Sequence, residues 1–251
     1  MFAFDQDDNA LQNAIDYDRF QLINQNFRYL KQYLKLYGIL KVDGILADFG
    51  VSSHQFDEAE RGFSTRFNAD LDMRMDRTNA LSAFDVVNAY SQEDLATVLF
   101  QYGELRNANA MAKALVAART EKPIKTTEDL KQVLGKFLPK MKENKILAQI
   151  YQAVRIEANQ EIEVLKEFLM QVPEVLNQGG RLSMISYHSL EDRLVKRFIR
   201  DGRFEGEPEK DFYGNISVPL KKIGGLITPS AEEIAQNNRA RSAKLRIAEC
   251  L

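Results

Sequence analysis

The chain has 251 residues, 45% hydrophobic and 28% charged, with 34 Lys+Arg against 36 Asp+Glu and a formal net charge of −2. That is enough chain for one large domain or two small ones around a well-buried core, and no apolar run approaches the roughly 18–20 residues that a membrane span needs. Met1 to Asp8 lacks the basic-then-apolar order of a secretory signal. The single cysteine, Cys250, excludes an internal disulfide and a Cys-rich metal site, and two histidines, His54 and His188, leave little material for a His-based one. These features predict a cytoplasmic globular protein with no membrane segment and no resident metal.

In chain order, Phe2–Asp5 reads as a short strand ending on an acid, and Asp7-Asp8-Asn9-Ala10-Leu11 as a helix start with acids in its first turn. Phe20–Ile23 reads as a second strand, Tyr29–Tyr37 as a helix closed by Gly38, and Val42–Asp48 as an apolar strand running into Asp48-Phe49-Gly50. Short strands alternating with helices predict a parallel α/β sheet. Ligands of such sheets bind at the carboxyl ends of strands, where Asp5 and Asp48 fall.

From Phe56 the character changes. Residues 56–80 are charged and loop-like, and helices are predicted over Ser82–Asn88, Ser91–Tyr102, Asn107–Thr120 and Thr127–Leu138. Ser91-Gln92-Glu93-Asp94 and Thr127-Glu128-Asp129 are good helix starts. No strand pattern interrupts them, so the chain divides into a first part of an α/β core (1–55), a helical insertion (56–145) and a second part of the core (146–251). Lys136, Lys140, Lys142 and Lys145 are the first concentrated positive charge. A helix is predicted over Ile146–Gln171, ending near Pro173. Gly179-Gly180 breaks the chain before a strand at Arg181–Tyr187, and His188 opens a helix just beyond that strand's carboxyl end. Residues 201–240 read as loops or short edge elements, and Lys244–Glu249 as a last edge strand.

Several residues can carry chemistry. An acid at Asp5 can accept hydrogen bonds from ribose hydroxyls or serve only as a helix-capping acid. Asp48 precedes a turn that brings backbone close to a ligand. In Ser186-Tyr187-His188 no nucleophile elbow supports a hydrolase triad. Arg193, Lys196, Arg197 and Arg200 recur at helical spacing and can meet phosphates or simply form a solvated face. Asn238-Arg239-Ala240-Arg241-Ser242-Ala243-Lys244-Leu245-Arg246 mixes cations with amides and a serine, a composition suited to phosphate and sugar contacts. Arg61, Arg66, Arg74 and Arg77 lie near Phe63 and Phe67, which can stack on bases. On composition the same stretch is equally a salt-bridged loop with Asp70, Asp72 and Asp76.

The stretches 43–55, 57–64 and 71–76, followed in order by Tyr102-Gly103-Glu104, Gln152-Ala153-Val154-Arg155-Ile156, Gly179–Ser183, Ser186–Arg193 and Asn238–Arg246, carry a specific resemblance. Over essentially the whole chain the sequence resembles the bacterial small-subunit (16S) ribosomal RNA (cytosine-N4)-methyltransferase family. The resemblance implies a class I, Rossmann-like, S-adenosylmethionine-dependent methyltransferase sheet with a helical substrate-binding insertion, acting on a specific cytidine of 16S rRNA or the small subunit, and possible as a homodimer. It implies cofactor contacts from Asp5, Phe27, Asp48 and Gln55. From their strand-end positions, Asp48 is the leading candidate to accept the amine hydrogens of the reacting base, with Ser186 and His188 second. RNA contacts are expected from Arg61, Arg74, Arg193, Lys196, Arg197, Arg239, Arg241 and Lys244. Family members begin earlier, with a strand, a Gly-rich turn and a helix, so this sequence is expected to lack the first strand and helix; a non-catalytic RNA-binding or ribosome-assembly protein is the alternative. Smaller departures are His54 and Asn238 for the usual Pro, and Tyr187 for the usual Phe.

Overall fold

The computed structural model describes residues 1–208, 212–214 and 216–251. In chain order the elements are β1 (Phe2–Asp5), β2 (Gln21–Asn24), α1 (Leu30–Leu36), β3 (Val42–Asp48), α2 (Ser53–Asp57), α3 (Ala83–Ala89), α4 (Gln92–Gln101), α5 (Ala108–Glu121), α6 (Thr127–Leu134), α7 (Glu143–Asn159), α8 (Glu161–Val175), β4 (Leu176–Ser186), α9 (Ser189–Asp201), β5 (Leu220–Ile227), α10 (Ala231–Gln236) and β6 (Lys244–Cys250). None of these helices is long and apolar enough to cross a membrane. The chain forms two compact units, one from residues 1–5, 16–50 and 162–251, the other from 6–15 and 51–161. The helical part is therefore wider than the expected 56–145. Its last helix, α7, buries Ile150, Ala153 and Val154 in the same core as the helices before it, and a polar anchor described below ties 6–15 to it.

In the first unit, β1 pairs in parallel with β2. A second sheet has the order β3-β4-β6-β5, with β3 and β4 parallel and β6 antiparallel to both β4 and β5. The sheet expected to be parallel is so at β3–β4, while β6 makes it mixed. The last strand is also not at the edge: β6 lies between β4 and β5, and β5, with Lys221, Lys222 and the left-handed Gly224 (φ 65°), forms the rim. Among the described residues β1 pairs only with β2 and β3 only with β4, so each keeps one open edge. Leu34 of α1, Leu165, Leu169 and Val172 of α8, Leu182 and Met184 of β4 and Phe198 of α9 form this unit's core. Burying each such side chain contributes about 1.5–3 kcal/mol. The strand β4 follows α8 without a loop. Lys41 donates from its ammonium to the carbonyls of Pro173 (3.4 Å) and Leu176 (3.0 Å), which accounts for carbonyls left over where the helix ends.

In the second unit, side-chain caps start the helices: Ser82 and Thr126 each form reciprocal capping boxes with Asp85 and Asp129, and Ser91 accepts from the Asp94 N–H. Val86, Leu95, Leu99, Leu115, Leu130 and Ile150 interlock in the core, into which the irregular segment 62–81 inserts Phe63, Leu71, Met73 and Met75. Asn159, at the end of α7, anchors that segment by donating to the Met73 carbonyl and accepting from the Met75 N–H, both at 2.7 Å. The single helix expected over 146–171 is two. Gln160 takes a left-handed conformation (φ 50°) that no Gly or Pro announces, and Arg155 closes a bidentate pair with Glu161 across the joint.

The anchor of segment 6–15 is Asp7. Its carboxylate accepts from Gln55 Nε2 (2.6 Å) and from Arg61 Nη1 (3.0 Å), and Arg61 also donates to the carbonyls of Arg74 (2.8 Å) and Met75 (3.0 Å). Arg61 is only 1% exposed. This corrects the expectation of an RNA contact there: the guanidinium is spent inside the protein. Burial pushes the Asp7 carboxyl up, but hydrogen bonds from Gln55, from the Asn9 N–H and from Arg61 outweigh it and hold the group below the usual carboxylate value. Next to Arg61, Gly62 is left-handed (φ 74°), and a Cβ there would lie 2.5 Å from the Asp70 carbonyl oxygen.

Two outcomes follow for stability. Asp7→Ala removes the nearer carboxylate of a buried guanidinium, leaving Glu58 at 3.5 Å as its other acid, and should cost about 3 kcal/mol in urea unfolding. Because the folded pKa of Asp7 is depressed, its contribution is full above the unfolded value of 3.8 and is lost as pH falls through the lower folded value; Asp7→Ala should flatten that acid limb of a stability-versus-pH curve. Gly62→Ala, combining a left-handed backbone with a clash, should lower stability by more than about 1 kcal/mol, read from the same unfolding curves.

Candidate active site

The last rungs of the β3–β4 ladder bring the expected acid and the Ser186–Arg193 stretch together. Asp48 pairs with Ile185, and the Phe49 N–H donates to the Ile185 carbonyl at 3.0 Å, so the strands run in register to their carboxyl ends. The chain then turns through Gly50 (φ 91°), against which the Tyr187 ring lies: a Cβ on Gly50 would be 3.7 Å from Tyr187 Cδ2. Asp48 stays open to solvent as a residue, yet its carboxyl is crowded. Loss of hydration raises its pKa, the nearby Tyr187 hydroxyl lowers it in part, and the Glu191 charge adds a further rise, leaving it above the usual carboxylate value. The Tyr187 phenol is pushed up to about 12 by burial and by the Asp48 carboxylate. It therefore keeps its proton at neutral pH, beside Asp48.

Glu191 is the hidden centre of the turn. It is 3% exposed, and its Oε2 accepts from the N–H groups of Tyr187 (2.9 Å) and His188 (3.3 Å). His188 is the N-cap of α9: its Nδ1 accepts, at 3.5 Å, from the Glu191 N–H, and its Nε2 lies 3.1 Å from Glu191 Oε1. The histidine expected at the reacting base thus has a capping role. Ser186 is buried, with its hydroxyl directed at the Lys244 carbonyl (3.5 Å), so it does not present a free hydroxyl at the strand end.

The other expected cofactor residues divide between the units. Asp5 ends β1 beside Asn24 of β2 and is exposed. Phe27 stands in a three-ring cluster, 5.9 Å from Phe49 and 5.3 Å from Phe168. Gln55 belongs to the second unit and is buried; its Nε2 is on Asp7 and its Oε1 accepts from the Ser52 N–H at 3.0 Å. Both ends of that amide are engaged, which corrects the expectation of a free cofactor contact.

The expected RNA contacts fare unevenly. Arg74 is held bidentately by Asp72 (2.7 and 3.1 Å) and donates to the Asn79 carbonyl (2.7 Å), the salt-bridged alternative for that loop. On α9, Arg193 and Lys196 are exposed, whereas Arg197 donates to the Gly206 carbonyl (2.6 Å). Arg239 and Arg241 are exposed on a 3-10 turn, Asn238–Ser242. A depression of about 290 Å³ opens between that turn and the α9 start, lined by Tyr187, His188, Ser189, Thr228, Arg241 and Lys244 among others. Lys244 (3.2 Å) and Arg246 (2.7 Å) converge on Asp192 and hold its carboxyl below the usual value despite burial. Sequence reasoning passed over Tyr187, Glu191 and Asp192 as site-forming groups. The only signal was the departure from Phe at 187, and an extra hydroxyl needs a polar neighbour that sequence does not locate.

The arrangement is an acid of raised basicity at the tip of parallel strands, with a phenol near it and a cationic and hydroxyl-lined depression beside Tyr187. The sequence model of the MraW methylase family matches residues 1–251. A protein named ribosomal RNA small subunit methyltransferase H in Christiangramia forsetii is 66% identical over 251 residues, covering 100% of this chain and 83% of the relative. Proteins of the same name in Flavobacterium johnsoniae and Bacteroides fragilis are 66% and 47% identical, each covering 99% of this chain and 82% of the relative. By sequence over its full described length, the chain belongs to the MraW methylase family.

Proposed function

We propose that this protein transfers a methyl group from S-adenosylmethionine to the exocyclic N4 amine of a cytidine in small-subunit (16S) ribosomal RNA, in the cytoplasm. The reading is supported by the relatives' shared name together with the Asp48–Tyr187 pair at the strand ends. The fold it implies is the class I methyltransferase sheet.

The residues fit the donor in part. Asp5 and Asp48 are exposed residues with carboxylates at strand ends, suited to hydroxyl and ammonium groups, and Phe27 supplies an aromatic ring; Gln55 is already engaged by Asp7 and Ser52. When bound, S-adenosylmethionine supplies a sulfonium-activated methyl. The cytosine amine is a weak nucleophile because its lone pair is delocalised into the ring, so the task of the protein is placement at about 3 Å and in line. Asp48 accepts a hydrogen bond from the amine, which lets the nitrogen pyramidalise as it attacks, and its raised pKa suits it to take the proton that N4 loses as the N–C bond forms. Tyr187 fixes the carboxylate orientation, and Glu191 holds the Tyr187–His188 backbone on which that ring is mounted. The base must leave its stack to reach Asp48. Arg241 and Lys244, with Ser189 and Thr228, line the depression that takes flanking phosphate and ribose.

Two measurements test this. Asp48→Ala should abolish methyl transfer to small-subunit rRNA while RNA binding persists; wild-type turnover would remove Asp48 from the mechanism. Tyr187→Phe removes the hydroxyl that lowers the Asp48 pKa, so the acid limb of the kcat/KM profile should move to higher pH. An unmoved limb would show that Tyr187 does not act through Asp48.

A further inference from the structure

The second unit carries a charged surface that nothing above uses. Between α6 and α7 the chain reads Gly135-Lys136-Phe137-Leu138-Pro139-Lys140-Met141-Lys142-Glu143-Asn144-Lys145, and all four lysines are exposed. The one acid of the stretch, Glu143, is engaged by Lys131 at 2.9 Å. Among the described residues none of the four ammonium groups has a carboxylate at ion-pair distance. Lys136 instead lies 5.1 Å from the centroid of the Phe137 ring.

The stretch is built rather than loose. Leu138 belongs to the helical core and Phe137 packs against it. The Leu138 N–H donates to the Gly135 carbonyl (3.0 Å), the Lys142 N–H to the Pro139 carbonyl (2.8 Å), and the Ile146 N–H to the Lys142 carbonyl (2.9 Å) as α7 begins. Apolar anchors point inward while the ammonium groups stand on the outer side, with Met141 (98% exposed) among them.

The chemistry selects the ligand. Four separate point charges on flexible stems suit repeated phosphates rather than one small anion. A lipid surface needs an apolar face to insert beside the basic one; here Phe137 and Leu138 are turned into the core and Met141 alone faces out. We propose that Lys136, Lys140, Lys142 and Lys145 form a phosphate-tracking ledge by which the 51–161 unit grips ribosomal RNA. The ledge rests on the reading of the chain as an rRNA methyltransferase and adds to it a second contact surface, remote in sequence from Arg239, Arg241 and Lys244.

The test compares the unaltered chain with Lys136/Lys140/Lys142/Lys145→Gln and with the four Lys→Arg changes, titrated against small-subunit rRNA across a salt series. Each lost phosphate contact lowers the slope of log affinity against log salt by about 0.7–0.9, so the Gln variant should be shallower by roughly 3, and bind about tenfold or more weakly near 0.15 M salt. The Arg variant should restore both. KM for RNA should rise with kcat within about twofold, the pattern of lost uniform binding, and the thermal midpoint should not move. Equal affinity and slope for the Gln variant and the unaltered chain would overturn the ledge alone. Lysine-dependent binding to phosphatidylglycerol vesicles with RNA affinity unchanged would overturn it in favour of a membrane. No RNA binding by the unaltered chain would overturn both the ledge and the functional reading.

Discussion

The parallel pairing of β3 with β4 is the constraint on which the site depends. Its register, Asp48 opposite Ile185 and Phe49 bonded to the Ile185 carbonyl, decides that the acid ending one strand and the phenol following the other arrive at the same tip. A slip of one residue would turn Asp48 to the opposite face of the sheet. Leu182 and Met184, both buried on β4, oppose a one-residue slip, which would turn them out of the core. Specific chemistry at the strand ends thus rests on ordinary burial along the strands.

Around that tip the polar groups form a hierarchy. Glu191 is buried and accepts from backbone N–H groups, which fixes the turn; the Tyr187 ring lies against Gly50; Asp48 stays exposed as a residue at the strand end. The raised pKa of Asp48 and the depressed pKa of Asp7 show the same residue type serving opposite ends. Asp7 is surrounded by donors and is a structural anion, whereas Asp48 has a single phenol and a like-charged neighbour, leaving it basic.

Much of this was legible in the sequence. Strands at Phe2–Asp5 and Val42–Asp48, the capped helices from Ser82 to Leu134 and the helix opening after His188 follow from apolar pattern and cap chemistry, both of which are local. What was not legible is long-range. Arg61 looks like any other cation of a charged loop until Asp7, remote in sequence, is found beside it. The break at Gln160 carries no Gly or Pro, because packing on either side rather than local preference sets it. The interior position of β6 is a matter of sheet order, on which an alternating heptapeptide is silent. Gln55 was legible as an amide in a specific motif, but its commitment to Asp7 depends on the same distant residue.

The two-unit chain path also bears on how the molecule acquires its form. The first unit is assembled from three separate segments, and joining β3 to β4 closes a loop that holds nearly the whole of the second unit. Closing a long expanded loop carries a larger entropic penalty than closing a short or collapsed one. Helices α3 to α7 are short-range structures with their own caps and core, so early condensation of 51–161 draws in the chain between the two strands and lowers that penalty. The insertion, on this view, acts as an internal template for the sheet that surrounds it in sequence.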